Sequence, residues 1–428
     1  LARSDRHRSR IVAPPRRAIA RVEELAAGGD GVAIVDGARV YAPLTAPGDV
    51  VEIDIRGQRG EVIALKEAGP DRAAPPCRHY GDCGGCSLQH VTRALYRDFK
   101  RTRVVEALAR VGLGDVDVRS IVDTPAASRR RATFAVRKSR DRVFLGFNAR
   151  RASEVVDLEE CLILDKDLAR KLRALRALAE SIDAGAFDLS VTQCENGLDA
   201  VAIGEIRPLE GSRRAALAGA AREAGVTRLT INDEPIVAFA APIVRFDRVA
   251  VTPPAGTFLQ ASREGEAALI GLVKEALAGS RKIADLFSGC GTFALPLAGT
   301  ATVSAFDADR AAIEALAKAA GGAQREGLVI NPVKVEARDL FERPLSAKEL
   351  NSFDAVVFDP PRAGAEAQTA EIARSGVPLV VGVSCNPKTF ARDAALLVNG
   401  GYTLSHVVPV DQFVYSAHVE LVGIFRKD

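Results

Sequence analysis

The chain has 428 residues, more than one hydrophobic core usually organises, and at 47% hydrophobic it has apolar side chains enough for two or three cores. Its 58 Lys and Arg against 55 Asp and Glu leave a formal charge of only +3, so global charge does not announce a nucleic-acid binder and only local clustering can. No run approaches the roughly twenty apolar residues that span a bilayer, and the arginine-rich N-terminus has no apolar segment behind it. Seven cysteines, an odd number, argue against a disulfide framework and toward metal binding or catalysis. The expectation is a cytoplasmic protein without a membrane partner, and no obligate protein partner is evident.

Residues 1–21 hold seven arginines against the single acid Asp5, with Pro14 and Pro15 between them. Residues 1–16 therefore read as a basic flexible arm suited to phosphates. From 17 to 70 short β-rich runs alternate with the turns Gly28–Gly31, Asp36-Gly37 and Pro47–Asp49, a pattern that predicts a small barrel. Its phrasing resembles the TRAM module, an OB-like domain, and the resemblance implies RNA binding.

Residues 71–250 form a central α/β domain in this reading. Cys77, Cys83 and Cys86 lie at C-x5-C-x2-C spacing, with Gly84-Gly85 letting the backbone turn between two thiolates. A fourth thiolate would close a tetrahedral set. Cys161 and Cys194 are the mid-chain cysteines without a motif of their own, and spacing alone leaves zinc and an iron-sulfur cluster both open. Residues 91–112 carry apolar side chains at helical spacing and end at Gly112. Arg129-Arg130-Arg131, Arg137-Lys138, Arg140 and Arg142 then interleave with Phe134, Phe144 and Phe147, a mixture that predicts a basic sheet facing RNA.

Residues 251–428 alternate strand and helix. Lys282–Phe287 is an apolar strand that breaks at Gly289 and Gly291, where the missing Cβ lets backbone approach a ligand, before an Ala/Leu-rich run resumes. The spacing lacks the third glycine of the dinucleotide fingerprint, which favours S-adenosylmethionine over NAD. Further strands at Thr302–Asp307, Val333–Asp339, Phe353–Asp359 and Val377–Val383 predict a doubly wound parallel sheet, with Asp307, Asp339 and Asp359 at its ligand-binding edge. Asp307 is placed to accept from ribose hydroxyls.

Two stretches supply reactive groups. Ser384–Pro387 sets Cys385 at the end of an apolar strand, and His418–Glu420 offers a carboxylate near the chain's end. Uracil C5 is a weak nucleophile until a thiolate adds at C6; Cys385 would be that thiolate, and Glu420 the base that removes the C5 proton after methyl transfer. Arg362 follows the Pro360-Pro361 pair where amino-group methylases usually place an aromatic, which speaks against amino-group methylation.

The cysteine set, Asp285–Ala298, Asp359–Gly364, Ser384–Asp393 and His418–Glu420 together resemble the RNA uracil-C5 methyltransferases, in the ribosomal branch that carries a TRAM domain and a 4Fe-4S cluster. The resemblance covers nearly the whole chain and implies a Rossmann-like methyltransferase domain. It implies a 4Fe-4S cluster on Cys77, Cys83, Cys86 and Cys161, with zinc the alternative occupant. It also implies S-adenosylmethionine held by Gln260, Phe287, Thr292, Asp307, Asp339 and Asp359, nucleophile Cys385, base Glu420, and 23S ribosomal RNA as substrate. Ser262 stands where the family often has Asn. A transfer RNA uracil methylase and a cluster-bearing RNA-binding protein without methylase activity are the alternatives.

Overall fold

Period-two alternation with polar turns closes the first strands on themselves. The computed structural model describes residues 16–207 and 211–427; the predicted basic arm, apart from Arg16, lies outside them. Two compact units divide the chain, one formed by residues up to 81 with 86–99 and 415–417, the other by 82–85, 100–414 and 418–428.

In the smaller unit β1 (Arg16–Leu25), β2 (Gly31–Val35), β3 (Ala38–Ala42), β4 (Val50–Arg56) and β5 (Arg59–Glu67) form a closed barrel in the order β1-β2-β3-β5-β4. Inward positions Val22, Val40, Val51 and Ile53 fill it, as strand alternation requires. The Asp49 carboxylate ties the barrel to the chain that follows, accepting from Ala46 N at 2.6 Å, Gly69 N at 2.8 Å and the Arg72 guanidinium at 2.6 Å.

Helix α1 (Arg93–Ala109) stops at Gly112, where φ is +81°. In the larger unit β6 (Val122–Asp123) precedes a seven-stranded sheet. That sheet is built from β7 (Arg131–Lys138), β8 (Val143–Asn148), β9 (Val155–Asp157), β10 (Ala186–Cys194), β11 (Gly197–Gly204), β12 (Val226–Ile231) and β13 (Glu234–Ala238). Its order is β13-β12-β11-β10-β7-β8-β9, and helices α2 (Lys166–Arg170), α3 (Leu172–Ser181) and α4 (Gly211–Glu223) belong to the same stretch of chain. Alternation along β7 turns Ala132, Phe134 and Val136 into the core under α3, and Phe147 stacks on Phe134 at 5.5 Å. Those two aromatics are packing, where the sequence predicted stacking surfaces for RNA.

A hairpin, β14 (Val244–Phe246) with β15 (Val249–Val251), leads into α5 (Arg263–Ala276). Ser262 caps α5, its hydroxyl accepting from Gly265 N at 3.0 Å; Asn performs the same task, so the departure from the family pattern keeps the cap. The catalytic half continues with β16 (Lys282–Leu286), α6 (Ala294–Leu297), β17 (Thr302–Asp307), α7 (Arg310–Arg325), β18 (Val333–Ala337), α8 (Ala347–Leu350), β19 (Ala355–Phe358) and α9 (Glu366–Arg374). β20 (Leu379–Ser384), α10 (Pro387–Asn399), β21 (Thr403–Asp411) and β22 (Glu420–Arg426) complete it.

The sheet order is β18-β17-β16-β19-β20-β22-β21-β6. From β18 to β20 all pairs are parallel, as predicted. β22 departs from that expectation by lying antiparallel between β20 and β21, because the connection 412–419 is too short for a parallel crossover. The strand order reverses about β16, which opens a crevice at the carboxyl ends of β16, β17 and β19, the position where such sheets hold ligands. Among the described residues no helix is long and apolar enough to cross a membrane.

Candidate active site

The loop after β16 is strained where it meets the crevice. Phe287 adopts φ +61°, uncommon for a bulky residue, and Gly289 and Gly291 follow at φ +51° and +96°. A Cβ on Gly291 would stand 2.5 Å from Leu316 Cδ1, so this turn packs directly on α7 and tolerates only glycine. Gly289 N donates to Asp307 Oδ2 at 2.8 Å, which ties the loop to the end of β17, and Asp309 N donates to the other oxygen at 2.8 Å. Thr292 is half-buried on the same loop. The helix that follows is a single short turn, α6, shorter than the Ala/Leu-rich run predicted.

Asp339 lies two residues beyond β18, and its Oδ1 accepts from Phe341 N at 2.9 Å, closing a turn. That turn brings Phe341 against Phe287 with ring centroids 5.5 Å apart, and Phe341 remains 45% exposed. Sequence reasoning did not single out Phe341; an aromatic two residues beyond a strand-end acid was the available signal.

Asp359, Gln260 and Glu420 come together. Gln260 Nε2 donates to Asp359 Oδ2 at 2.9 Å, and Gln412 Nε2 donates to Gln260 Oε1 at 2.8 Å and to Glu420 Oε2 at 3.2 Å. Burial pushes Glu420 up to about 8, with the Asp359 charge adding to it and the Gln412 bond and Arg362 opposing. Burial pushes Asp359 up to about 7, against the Gln260 bond. Deeper in β16, Asp285 is fully buried with no side-chain partner, and burial followed by the Asp359 charge raises its pKa well above the usual range, against the Ala294 N–H. The crevice therefore holds several acids that compete for few protons.

Register places the cysteine against this group. Ser384 at the end of β20 pairs with Leu421 in antiparallel β22, so Cys385 and Glu420 are the next residues across the same ladder. Cys385 is half-buried. Burial raises its thiol to about 11, the Glu420 and Asp359 charges add to this, and Arg362 opposes it.

The segment after Cys385 holds the Asp359–Gly364 loop in place. Asn386 caps α10 by accepting from Lys388 N at 3.1 Å and donates Nδ2 to Arg362 O at 3.0 Å. Arg392 donates to Ala363 O at 3.1 Å, and Asp393 accepts from Ala365 N at 2.7 Å. Arg362 itself lies against His418, Nη2 to Nδ1 at 2.8 Å. Burial and the Arg362, Arg103, Lys100 and Arg129 charges push His418 down to about 4, so the imidazole is neutral at physiological pH.

The arginine triplet at the start of β7 has a different task from the one predicted for it. Arg130 is 3% exposed and pairs with Glu266 of α5 at 2.6 Å. Arg130 N donates to Ala261 O at 2.9 Å and its Nε to Gln260 O at 3.1 Å, while Arg131 donates to Leu259 O at 2.8 Å. These bonds clamp the backbone of the segment that carries Gln260, which takes Arg130 away from any phosphate.

A family model described as tRNA (Uracil-5-)-methyltransferase matches residues 249–428. An uncharacterised RNA methyltransferase of Rhizobium meliloti (strain 1021) is 42% identical over 95% of this chain and 98% of its own length. The 23S rRNA (uracil(1939)-C(5))-methyltransferase RlmD of Halomonas elongata is 34% identical over 93% of this chain and 87% of its own length. The chain belongs to the RNA uracil-C5 methyltransferase family. The solved Pyrococcus abyssi tRNA (uracil-54, C5)-methyltransferase, in complex with S-adenosyl-L-homocysteine, has the same fold. Its TM-score is 0.71 at 24% identity, over 96% of this chain and 100% of its own.

Of the four cysteines predicted as ligands in this methyltransferase, Cys77 and Cys86 belong to the smaller unit and Cys83 and Cys161 to the larger. All four are half-buried, in contrast to Cys194 and Cys290, which are buried. Cys83 and Cys161 pack against the core beneath the seven-stranded sheet, and Cys83 Sγ accepts from Gly85 N at 3.4 Å. Among the described residues no group of three or more His, Cys, Asp or Glu is assembled as a metal site.

Replacing Arg130 by Met leaves Glu266 charged and buried, so stability falls by about 3–5 kcal/mol in urea denaturation, whereas the Arg130→Met/Glu266→Met double variant recovers most of the loss. Equal losses in the single and double variants would remove the ion pair from this account.

Proposed function

We propose that this methyltransferase moves a methyl group from S-adenosylmethionine to C5 of a uridine in 23S ribosomal RNA, through a covalent adduct on Cys385. The observation that carries the reading is the antiparallel register that sets Cys385 and Glu420 on neighbouring strand ends. S-adenosylmethionine supplies an electrophilic methyl carbon. Its binding residues are proposed as Gln260, Phe287, Thr292, Asp307, Asp339 and Asp359, grouped around the glycine turn and the strand ends. The one free oxygen face of Asp339 and the exposed edge of Phe341 suit a planar ring with polar edges.

The residues act in sequence. Cys385, as thiolate, adds to C6 of the uracil; the C5–C6 π pair becomes a C4–C5 double bond, the carbonyl π pair moves onto O4, and C5 of this enolate is nucleophilic. The enolate pair at C5 then bonds to the methyl carbon, whose bond to the sulfonium sulfur breaks with its pair left on a neutral thioether. Glu420 accepts the C5 proton, the C5–H pair rebuilds the C5–C6 double bond, and the C6–S bond breaks to return the thiolate. The base must leave its stack to meet Cys385, which calls for flipped or locally unpaired RNA. Full-length similarity to the Halomonas elongata enzyme supports ribosomal RNA. The barrel supports the TRAM reading and an RNA-binding role for that unit.

We also assign a 4Fe-4S cluster to Cys77, Cys83, Cys86 and Cys161. Four half-buried thiols, one of them accepting a backbone N–H, suit a thiolate donor set. The proposed role of the cluster is structural, since its cysteines are remote in sequence from Cys385 and Glu420. Anaerobically purified wild type contains iron and acid-labile sulfide and Cys161→Ala does not; stoichiometric zinc without sulfide would replace the cluster by a zinc site.

Labelled methyl transfer to unmodified 23S ribosomal RNA and transfer RNA transcripts, followed by nucleoside analysis, tests the main reading. Wild type yields 5-methyluridine in ribosomal RNA, Cys385→Ala yields none, and Glu420→Gln accumulates a denaturant-stable protein–RNA adduct. Label in transfer RNA alone would move the substrate and keep the chemistry; turnover by Cys385→Ala would end the covalent mechanism.

The same assay has a pH signature. Cys385 and Glu420 both work deprotonated and both have raised pKa values, about 11 and about 8. Catalytic efficiency therefore climbs with pH from 6 to 8, by about tenfold or more per unit. A profile flat across this range would contradict the thiolate role of Cys385.

A further inference from the structure

Gln412 opens the connection between β21 and β22 and is 4% exposed. Its neighbours are fixed from outside. Lys100, fully buried, pairs with the Asp411 carboxylate on one side and donates to Phe413 O at 2.9 Å on the other, while the Thr124 hydroxyl donates to Asp411 O. The backbone that presents Gln412 is thus held at both flanks. Room for the side chain comes from α5, where a Cβ on Gly265 would stand 2.9 Å from both Cγ and Oε1 of Gln412.

A primary amide has two N–H bonds, and Gln412 directs both inward, to Gln260 Oε1 and to Glu420 Oε2. With its oxygen turned to Gln412, Gln260 must present its NH2 to Asp359. The orientation of the Gln260 amide follows from this one side chain, whose own Oε1 is buried with no hydrogen-bond partner.

We propose that Gln412 is a positioning residue that fixes the Glu420 carboxylate, holding Oε2 so that Oε1 meets the C5 proton after methyl transfer. The proposal rests on the reading of Glu420 as the base. An unheld carboxylate rotates about its last bond, and the geometry for proton removal is then reached only part of the time. Methyl transfer precedes that step and does not use Glu420. Loss of Gln412 also frees Gln260, so with the methyl donor saturating it slows proton removal and spares the step before it.

The test is a single-turnover reaction of the full chain with an RNA transcript that wild type methylates, labelled with tritium at uridine C5, and a 14C-methyl donor. Carbon label in RNA reports methyl transfer, and tritium in water reports proton removal. Gln412→Met keeps an unbranched side chain of similar length without N–H bonds. It transfers methyl at close to the wild-type rate, but releases tritium about tenfold to a hundredfold more slowly, the value of a hydrogen bond to a charged group. Denaturant-stable adduct accumulates in parallel. Should Gln412→Met fail to fold, Gln412→Asn keeps the amide but withdraws it by one methylene, and the same split is expected. Both labels slowing by one factor, or neither slowing, overturns the proposal. Glu420→Gln run beside it separates the two readings: slow tritium release there with normal release in Gln412→Met removes only the role of Gln412. Normal release in Glu420→Gln removes the base and this inference with it.

Discussion

Two buried acids whose proton affinities are both raised face one crevice, and the surrounding structure is arranged to hold them there. Burial raises the proton affinity of both, and the Asp359 charge raises that of Glu420 further. Two bridging glutamines each hold one oxygen of a carboxylate without adding charge. A lysine or arginine in place of either amide would form an ion pair, and the carboxylate would then lose its basicity. The cations are kept to the outside of the group: Lys100 on Asp411, Arg130 on Glu266, Arg362 against a neutral His418. Each of these pairs fixes a backbone segment that delivers one member of the site.

Much of this architecture was legible in the sequence. The barrel follows from turn spacing, and the strands at 282–286, 302–307, 333–337 and 355–358 fall in the runs bounded by the glycine turn or by Asp307, Asp339 and Asp359. Local patterns encode local structure, and the strand ends carried Asp307, Asp359 and Cys385 with them. The antiparallel turn of β22 was not read, although the short connection 412–419 contained the signal.

Side chains whose partners are distant in sequence were misread or missed. Arg129–Arg131 looked like a phosphate-binding run because nothing nearby opposes its charge; the partner of Arg130 is Glu266, on a helix 136 residues away. Phe134 looked like a stacking residue until strand alternation turned it inward. Gln412 carries no charge and belongs to no nucleophile or metal pattern. It enters the site through Gln260, 152 residues earlier, and only a folded chain shows that contact. For the same reason the residues of Ser384–Asp393 other than Cys385 read as a signature without a mechanism. In the structure they are the cap and hydrogen bonds that hold the Asp359 loop.

The three cysteines with raised pKa values show what distinguishes a reactive position here. Burial lifts Cys194, Cys290 and Cys385 alike to about 11, so proton affinity does not separate them. Cys194 and Cys290 are closed in the core, the latter beside the Thr257 hydroxyl. Cys385 alone of the three is half-buried, sits one ladder step from a carboxylate, and has Arg362 as a cation whose charge favours the thiolate. A high resting pKa keeps this thiol protonated and protected when no substrate is present. In the proposed reaction a planar electrophile seated between Cys385 and Glu420 would change the balance, since the negative charge of the sulfur would pass to the uracil O4 and not to the crowded crevice. The register of β20 against β22 therefore makes Cys385 a candidate nucleophile, where pKa alone would have left it indistinguishable from packing.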